Sequence, residues 1–311
     1  MPKVSVLVQT YNHAPYIQAC LEGILNQVTS CDLEILVHDD ASTDGTAEIL
    51  RSLAATYPQI NLMIQTENQY SLGRNAMRLN AARATGDYLA ICDGDDQWID
   101  PHKLQKQVDV LEARPEVALV VHAFQKVLAT DPHRSVVVRY PHPEVDLEDM
   151  IRHPGCYFSY STFVFRRMDL DYGKDFNVLR ITDLPRLLYS GLIGTIVYLD
   201  EVLSLYRKGV PHSYNHRNLI DPHTTIAHTQ RAIDFFTRFK AHAPQHTTVI
   251  DRRIEELRLR LCVKSRDKAL RTSLRSAIKA LPFKARIRFE LEYAFPSLFR
   301  FYLSHRLSNT L

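Results

Sequence analysis

The sequence predicts an α/β fold: a mostly parallel sheet with helices on both faces, followed by a helical C-terminal appendage. Three observations carry this. Strand-like and helix-like patterns alternate with short connections through the first 125 residues. The strand segments are continuous apolar, β-branched runs, as expected where both faces of a strand are covered. Beyond His212 only helical spacing continues.

The elements follow in order. Val4-Ser5-Val6-Leu7-Val8 reads as a buried strand, and residues 16–26 as a helix, with Ile17, Leu21, Ile24 and Leu25 on one face. A second strand over 33–37 precedes a helix carrying Ala47, Ile49, Leu50 and Leu53. Residues 60–64 form a third strand, 76–84 a short helix, and 88–92 a fourth strand. Asp100 and Pro101 supply a cap and a pre-set φ for a helix over 101–113. Residues 117–124 form a fifth apolar strand. Strands are expected at 136–140, 161–165, 195–199 and 202–206, with a helix over about 184–190. Helices over 224–239, 249–269 and 272–281 complete the chain, before a mixed basic and aromatic end at 283–307.

Length and composition bound the rest. The 311 residues suit one large α/β domain with an appendage, or two modest domains. At 45% apolar and 23% charged, with ten Gly and fifteen Pro, the chain is neither disordered nor fibrous. A net charge of +3 is too small to advertise a nucleic-acid binder, and no nucleic-acid partner is expected. The charge is unevenly spread: residues 251–311 carry fifteen Lys/Arg against six Asp/Glu, a net of +9, and the first 250 a net of −6. An anionic partner for the tail and a solvated helical face both account for this split. Cys20, Cys31, Cys92, Cys156 and Cys262 are scattered and never in a C-x-x-C pair, which fits free thiols in a reducing compartment rather than zinc or disulfides. The start at Met1-Pro2-Lys3 runs directly into the first strand, and no apolar run approaches a spanning length, so a cytoplasmic location is expected.

Polar clusters follow three strands directly: Gln9-Thr10-Tyr11-Asn12, Asp39-Asp40 and Asp93-Gly94-Asp95-Asp96. In an open parallel sheet all strand carboxyl ends share one edge, where ligands bind. The three clusters therefore converge on one crevice. Three carboxylates within four residues call for a positive partner, and a hard divalent cation, Mn²⁺ or Mg²⁺, bridging to phosphate is the usual one. An exposed acidic turn is the plainer alternative. Asp39 and Asp40 precede turn and N-cap chemistry at Ala41-Ser42-Thr43-Asp44-Gly45, so capping alone accounts for only part of the cluster. No G-x-G-x-x-G follows the first strand and no phosphate-loop motif occurs, which disfavours a dehydrogenase and a P-loop NTPase.

With Gly86-Asp87-Tyr88, Gln97-Trp98, Lys103-Leu104 and Gln107 added in order, these motifs are similar to those of family 2 glycosyltransferases across about residues 3–215. The resemblance implies a GT-A fold, Rossmann-like, and an inverting enzyme that uses a nucleotide-sugar donor, a UDP-sugar first, and a divalent cation. It implies a nucleotide-sugar-binding catalytic domain over 1–215 and a helical, basic region over 216–311. Gln9, Thr10 and Tyr11 fall at the base, with Tyr11 stacking; Asp40 matches the base-binding acid, with Asp39 beside it. Asp93, Asp95 and Asp96 fall on the metal motif: one of Asp95 and Asp96 ligates the cation while its neighbour holds ribose or sugar. Arg78, or Arg74 nearby, is the candidate for the phosphates.

Asp183, within Thr182-Asp183-Leu184-Pro185, matches the family's catalytic base; a plain helix cap accounts for the same residue. His212 is the candidate third metal ligand, displaced from the usual position, with Arg207 or Lys208 as alternatives that would hold the leaving phosphates. Most other histidines read as surface or satisfied core. Trp98 is either a sugar-stacking face or a buried anchor. Arg286, Arg288, Arg300 and Arg306 alternate with Phe289, Leu291, Phe295, Phe299, Tyr302 and Leu303, a pattern open to an anionic membrane, intramolecular packing or a dimer interface. The acceptor implied is a glycan or lipid-linked saccharide, in bacterial surface polysaccharide synthesis, with variable acceptor contacts over about 126–173. The rival reading is a non-catalytic nucleotide-sugar-binding or scaffolding protein that retains the fold. A nucleotidyltransferase would need a Gly-rich basic loop where Thr10-Tyr11-Asn12 stands.

Overall fold

A computed structural model of the chain describes residues 1–153, 157–167, 183–211, 213 and 222–294. These divide into two compact units, Met1–His212 and Ser213–Leu311. The expected boundary at 215/216 falls outside the described residues.

The first unit is a curled sheet with nine strands among the described residues. It opens with β1 (Lys3–Thr10), α1 (Ile17–Leu25), β2 (Asp32–Asp39), α2 (Thr46–Thr56), β3 (Ile60–Ile64), α3 (Ala76–Ala81) and β4 (Tyr88–Asp93). A two-residue β5 (Gln97–Trp98), α4 (Lys103–Ala113), β6 (Val117–Leu128), β7 (Asp131–Val138), α5 (Leu147–Arg152), β8 (Val164–Arg166), α6 (Asp183–Ile193) and β9 (Thr195–Lys208) follow. The spatial order is β3-β2-β1-β4-β8-β6-β9-β5, with β7 on β6. β3/β2, β2/β1, β1/β4 and β6/β9 are parallel; the short β8 and β5 pairings and β6/β7 are antiparallel. Val4 to Val8 are all buried, which requires cover on both faces of β1 because side chains alternate. Asn80 on α3 contributes to that cover, its buried amide donating to the carbonyls of Val8 and Leu36.

The pattern-based expectations hold for β1 to β4 and shift in the middle. The segment expected as a strand over 161–165 begins as a 3₁₀ turn (Tyr160–Thr162), because the Ser159 carbonyl takes both the amide and the hydroxyl of Thr162. β7 lies earlier than the expected 136–140, and Tyr140 instead turns inward, donating to Asp149 and accepting from the Asp146 amide. The two strands expected over 195–206 are one, β9. Its ladder with β6 jumps from Leu199 to Val202, so Asp200 and Glu201 bulge outward to Arg139 and Lys106. α4 starts at Lys103, later than Pro101, and its first turn is capped from a distance by Gln27, whose side-chain oxygen accepts from the Leu104 amide.

In the second unit, α7 (Pro222–His242) packs on α8 (Thr247–Ser265) through Phe235, Phe236, Phe239 and Ile250, all buried. The helix expected to run through 269 stops at Arg266, which takes a left-handed φ of 56°. Asp267 then caps α9 (Lys268–Ser273) at the Ala269 and Leu270 amides. α10 (Arg275–Ala280) and α11 (Phe283–Ala294) follow. Arg300, Arg306 and the aromatics beyond 294 lie outside the described residues. Among those described, no helix is long and apolar enough to cross a membrane. Cys20, Cys31, Cys92 and Cys262 are free and buried; Cys156 lies outside the described residues.

Candidate functional site

The register of the parallel strands brings the polar clusters together. Thr10 at the end of β1 stands opposite Asp39 at the end of β2, and Gln9 opposite Asp93 at the end of β4. The backbone continues the contact past the strand ends: the Asp40 amide donates to the Thr10 carbonyl, and the Gly94 amide to the Gln9 carbonyl. The loops after β1 and β2 are also sewn together. Asn12 accepts from the Thr43 amide at 2.8 Å, its own amide donates to the Ser42 hydroxyl, and the His13 amide donates to the Thr46 hydroxyl. Asn12 and Ala41 both hold positive φ, 57° and 61°, a conformation L-residues occupy at a cost and that gathers at working sites.

The two acids after β2 are buried and already engaged. Asp39 accepts from the amide and hydroxyl of Ser42, yet burial keeps its carboxyl above the usual range. Asp40 is also penalised by burial. There the bonds outweigh it: His38 stands 3.7 Å away, the Gln69 and Tyr70 amides donate at 2.6 and 3.1 Å, and the carboxyl falls below its usual range. A carboxylate has about four acceptor sites, so two backbone donors leave Asp40 with capacity for a ligand N–H. Tyr11 and Gln9 are half-buried at the same edge.

The acidic cluster is the electrostatic centre. Burial, then the charges of Asp95 and Asp183, push the Asp93 carboxyl up to about 8. Asp183, the first residue of α6, is therefore near enough to act on the cluster from 90 residues away in sequence. Its own carboxyl is raised by burial and accepts from the amide of the next residue, Leu184, at 2.8 Å. Beside it lies a cavity of about 10 Å³, room for one water at most, lined by Met150, Tyr157, Phe158, Phe163, Leu184 and Leu187.

Asp95 and Asp96 differ in environment. Asp96 is 1% exposed and accepts from the Arg207 amide, while burial and the neighbouring acids raise its carboxyl strongly. The Arg207 guanidinium donates to the Asp95 carbonyl and the Gln97 side chain, bracing the motif from β9. The Asp95 carboxylate points toward His13, whose Nε2 is 3.8 Å away. No motif in the sequence distinguishes His13 from the other histidines. Its position directly after the β1 polar cluster was the available signal. Among the described residues, His13 Nδ1 and Thr10 Oγ1 are buried without a hydrogen-bond partner. A Cβ on Gly94 would stand 2.9 Å from the Thr10 Cβ and 3.0 Å from His13 Nδ1, so both unsatisfied atoms flank this glycine.

Among the described residues no three His, Cys, Asp or Glu side chains form a closed metal cage. The donor set nonetheless fits a hard divalent cation. Such an ion commonly takes one or two carboxylates and completes its shell with water and phosphate oxygens, and crowded acids that resist ionisation together gain from its charge.

The remaining predicted residues are dispersed. Arg78 is exposed on α3, Arg74 is held by the Gln69 side chain at 2.9 Å, and Lys208 is half-buried at the end of β9. His212 lies outside the described residues. Trp98 resolves as the anchor rather than the stacking face: it is 2% exposed, its indole N–H donates to the Ser161 carbonyl, and the Lys103 ammonium sits 4.1 Å over its ring. Gly23 on α1 permits this packing, since a Cβ there would stand 2.4 Å from the Trp98 carbonyl.

Comparison with known proteins agrees with this geometry. The family model described as glycosyl transferase family 2 matches residues 5–173. An uncharacterized glycosyltransferase of Nostoc sp. is 31% identical over 212 residues, 66% of this chain and 64% of the relative. Among solved structures, the mannosyltransferase of Pyrobaculum calidifontis in complex with GDP-Man and Mn²⁺ superposes with a TM-score of 0.58. It is 22% identical, covering 97% of this chain and 83% of that one. TarS 1–349 of S. aureus in complex with UDP gives 0.54 at 16% identity, over 93% and 78%. These likenesses show a GT-A fold. The chain spans 36 to 64% of the length of the first curated relatives it matches.

Proposed function

The chain belongs to glycosyl transferase family 2, and from that premise we propose that it is an inverting glycosyltransferase. In this reading it moves a sugar from a nucleotide-sugar, a UDP-sugar first, to a hydroxyl of a glycan or lipid-linked acceptor. The setting is bacterial surface polysaccharide synthesis on the cytoplasmic side of the membrane. The observation that carries the reading is the convergence of Thr10, Asp40 and the Asp93–Asp96 acids on one sheet edge.

The nucleotide base lies against Tyr11 with its N–H groups toward Asp40, and the unsatisfied Thr10 hydroxyl and His13 Nδ1 are the polar atoms left for the donor. Asp95 is the metal-binding carboxylate, since Asp96 is engaged by the Arg207 amide and works as a brace. A divalent cation held there, Mn²⁺ or Mg²⁺, would offset the charge that develops on the departing diphosphate. His212 remains the further ligand in this proposal. Asp183 accepts the proton of the attacking acceptor hydroxyl. Its raised carboxyl suits that task, because a base nearer neutrality gains more from the proton it takes. The bond from acceptor oxygen to anomeric carbon forms as the bond to the diphosphate oxygen breaks on the opposite face, which inverts the centre.

Calorimetric titration with UDP, GDP and dTDP, each with Mn²⁺ and again with EDTA, tests the donor half. Metal-dependent binding of one nucleotide is expected; no binding of any would reduce the acidic cluster to a turn. Asp183→Asn tests the chemistry. It should keep nucleotide affinity and lose transfer by at least about a hundredfold. Full activity in this variant would leave a binding protein, or another base. In the wild type, transfer should fall as pH drops through a carboxyl range above the ordinary one, because protonated Asp183 cannot accept.

A further inference from the structure

Helix α11 carries apolar residues on two sides, one packed within its unit and one exposed. Phe289 faces inward and packs with Cys262, Val263, Leu274 and Ile278. Tyr293 stacks on Phe289, with ring centroids 6.2 Å apart, and donates to the Arg266 carbonyl. Phe283, Ile287 and Leu291 lie at four-residue spacing and are 68%, 43% and 49% exposed. Residues four apart share one face of a helix, so these three make an outward apolar stripe. Monomeric proteins seldom leave such a stripe uncovered without using it.

The charges beside the stripe say what covers it. Lys284 and Arg288 are exposed along its edge. The acids of the helix are paired: Glu290, beside the stripe, with Arg271, and Glu292 with Lys264. Residues 251–311 as a whole carry a net charge of +9. We propose that the outward face of α11 docks the protein on an anionic lipid surface, with Phe283, Ile287 and Leu291 entering the headgroup boundary and Lys284 meeting the lipid charge. A basic amphipathic helix lying in the interface plane is the physical form this takes. The inference stands independently of the transferase chemistry.

Co-sedimentation of the full chain with phosphatidylcholine vesicles, with and without phosphatidylglycerol, tests it. Binding is expected only with phosphatidylglycerol, and it should weaken as salt rises. Lys284→Glu should reduce partitioning by roughly fivefold or more, the value of one basic residue at such a surface. The triple variant Phe283→Ser, Ile287→Ser, Leu291→Ser should abolish binding with an unchanged far-UV circular dichroism spectrum, since none of the three is buried. Retained binding in the triple variant would overturn the proposal, as would no vesicle binding by the wild type. A concentration-dependent dimer in light scattering that the triple variant loses, without vesicle binding, would assign the face to a second copy instead.

Discussion

Gly94 is the residue around which the acidic loop is fitted. Thr10, His13 and Ile17 each come within about 3 Å of where its side chain would begin. Overpacking of this kind costs roughly 1–3 kcal/mol. Here it would also displace the loop that holds Asp95. Gly94→Ala is therefore expected to lower the melting temperature and weaken metal-dependent nucleotide binding by about tenfold or more. Thermal unfolding and calorimetry would read the two effects separately, and unchanged nucleotide affinity would place Gly94 outside the donor site. At this scale the sequence was informative about residue type and poor about partners. The carboxylates at 39, 40, 93, 95 and 96 were legible because polar residues directly after buried strands have one edge to occupy. That Asp39 is held by Ser42 while Asp40 is held by Gln69 and Tyr70 was not legible, since the second contact reaches across about thirty residues that include α2 and β3.

Among elements, the β1–β2–β4 region is tied at its opposite end by one acid. Glu34 on β2 accepts from the Ser5 hydroxyl of β1 and from the amide and hydroxyl of Thr85, with Lys3 3.3 Å away. Burial disfavours its charge, but these bonds prevail and hold the carboxyl at about 2. The unfolded chain takes up this proton near its ordinary value and the folded chain only near 2. The stability Glu34 contributes is thus complete above about 4.5 and is lost as pH falls toward 2. Glu34→Gln should remove that share of the acid limb and lower stability at neutral pH by on the order of 2 kcal/mol, as urea titrations at pH 3 and 7 would show. An acid limb identical to the wild type would refute this. Elements with strict periodicity, such as β3, were readable to the residue. The irregular ones were not: the β9 bulge at Asp200 and Glu201 exists because Arg139 and Lys106, from other elements, receive those charges.

For the molecule as a whole, the buried Lys103 links folding to pH. It is fully enclosed, held by Gln107 at 2.7 Å and by the Trp98 ring, and burial lowers its ammonium to about 7. Above 7 the folded chain releases this proton while the unfolded chain keeps it to about 10.5, so the contribution of Lys103 to stability rises with pH from 7, against the opposite slope of the raised Asp93 and Asp96 carboxyls. The gain ends as buried groups of opposite sense titrate. Cys31, Cys92 and Cys262 are raised, and Tyr88, Tyr140 and Tyr198 are pushed up to about 12. Between pH 7 and 9 Lys103 by itself should contribute a gain on the order of 2 kcal/mol, so Lys103→Met should lose that much stability relative to the wild type across this range in chemical denaturation. An unchanged slope would assign the dependence elsewhere.

By itself the sequence determined the layered α/β unit, the edge at which its acids gather, the family, and the helical, basic character of the remainder. All of these follow from local periodicity and from the fixed direction of parallel strands. Only the tertiary structure decided which side chains are free to act. Trp98 became an anchor because Ser161, 63 residues away, offers its indole a buried carbonyl. Asp96 became a brace because the Arg207 amide, 111 residues away, meets its carboxylate. Phe289 turned inward and left Phe283, Ile287 and Leu291 outside because α8 and α10 present an apolar groove to one side of α11 alone. Exposure and partnership are properties of distant residues brought together, and no local pattern carries them.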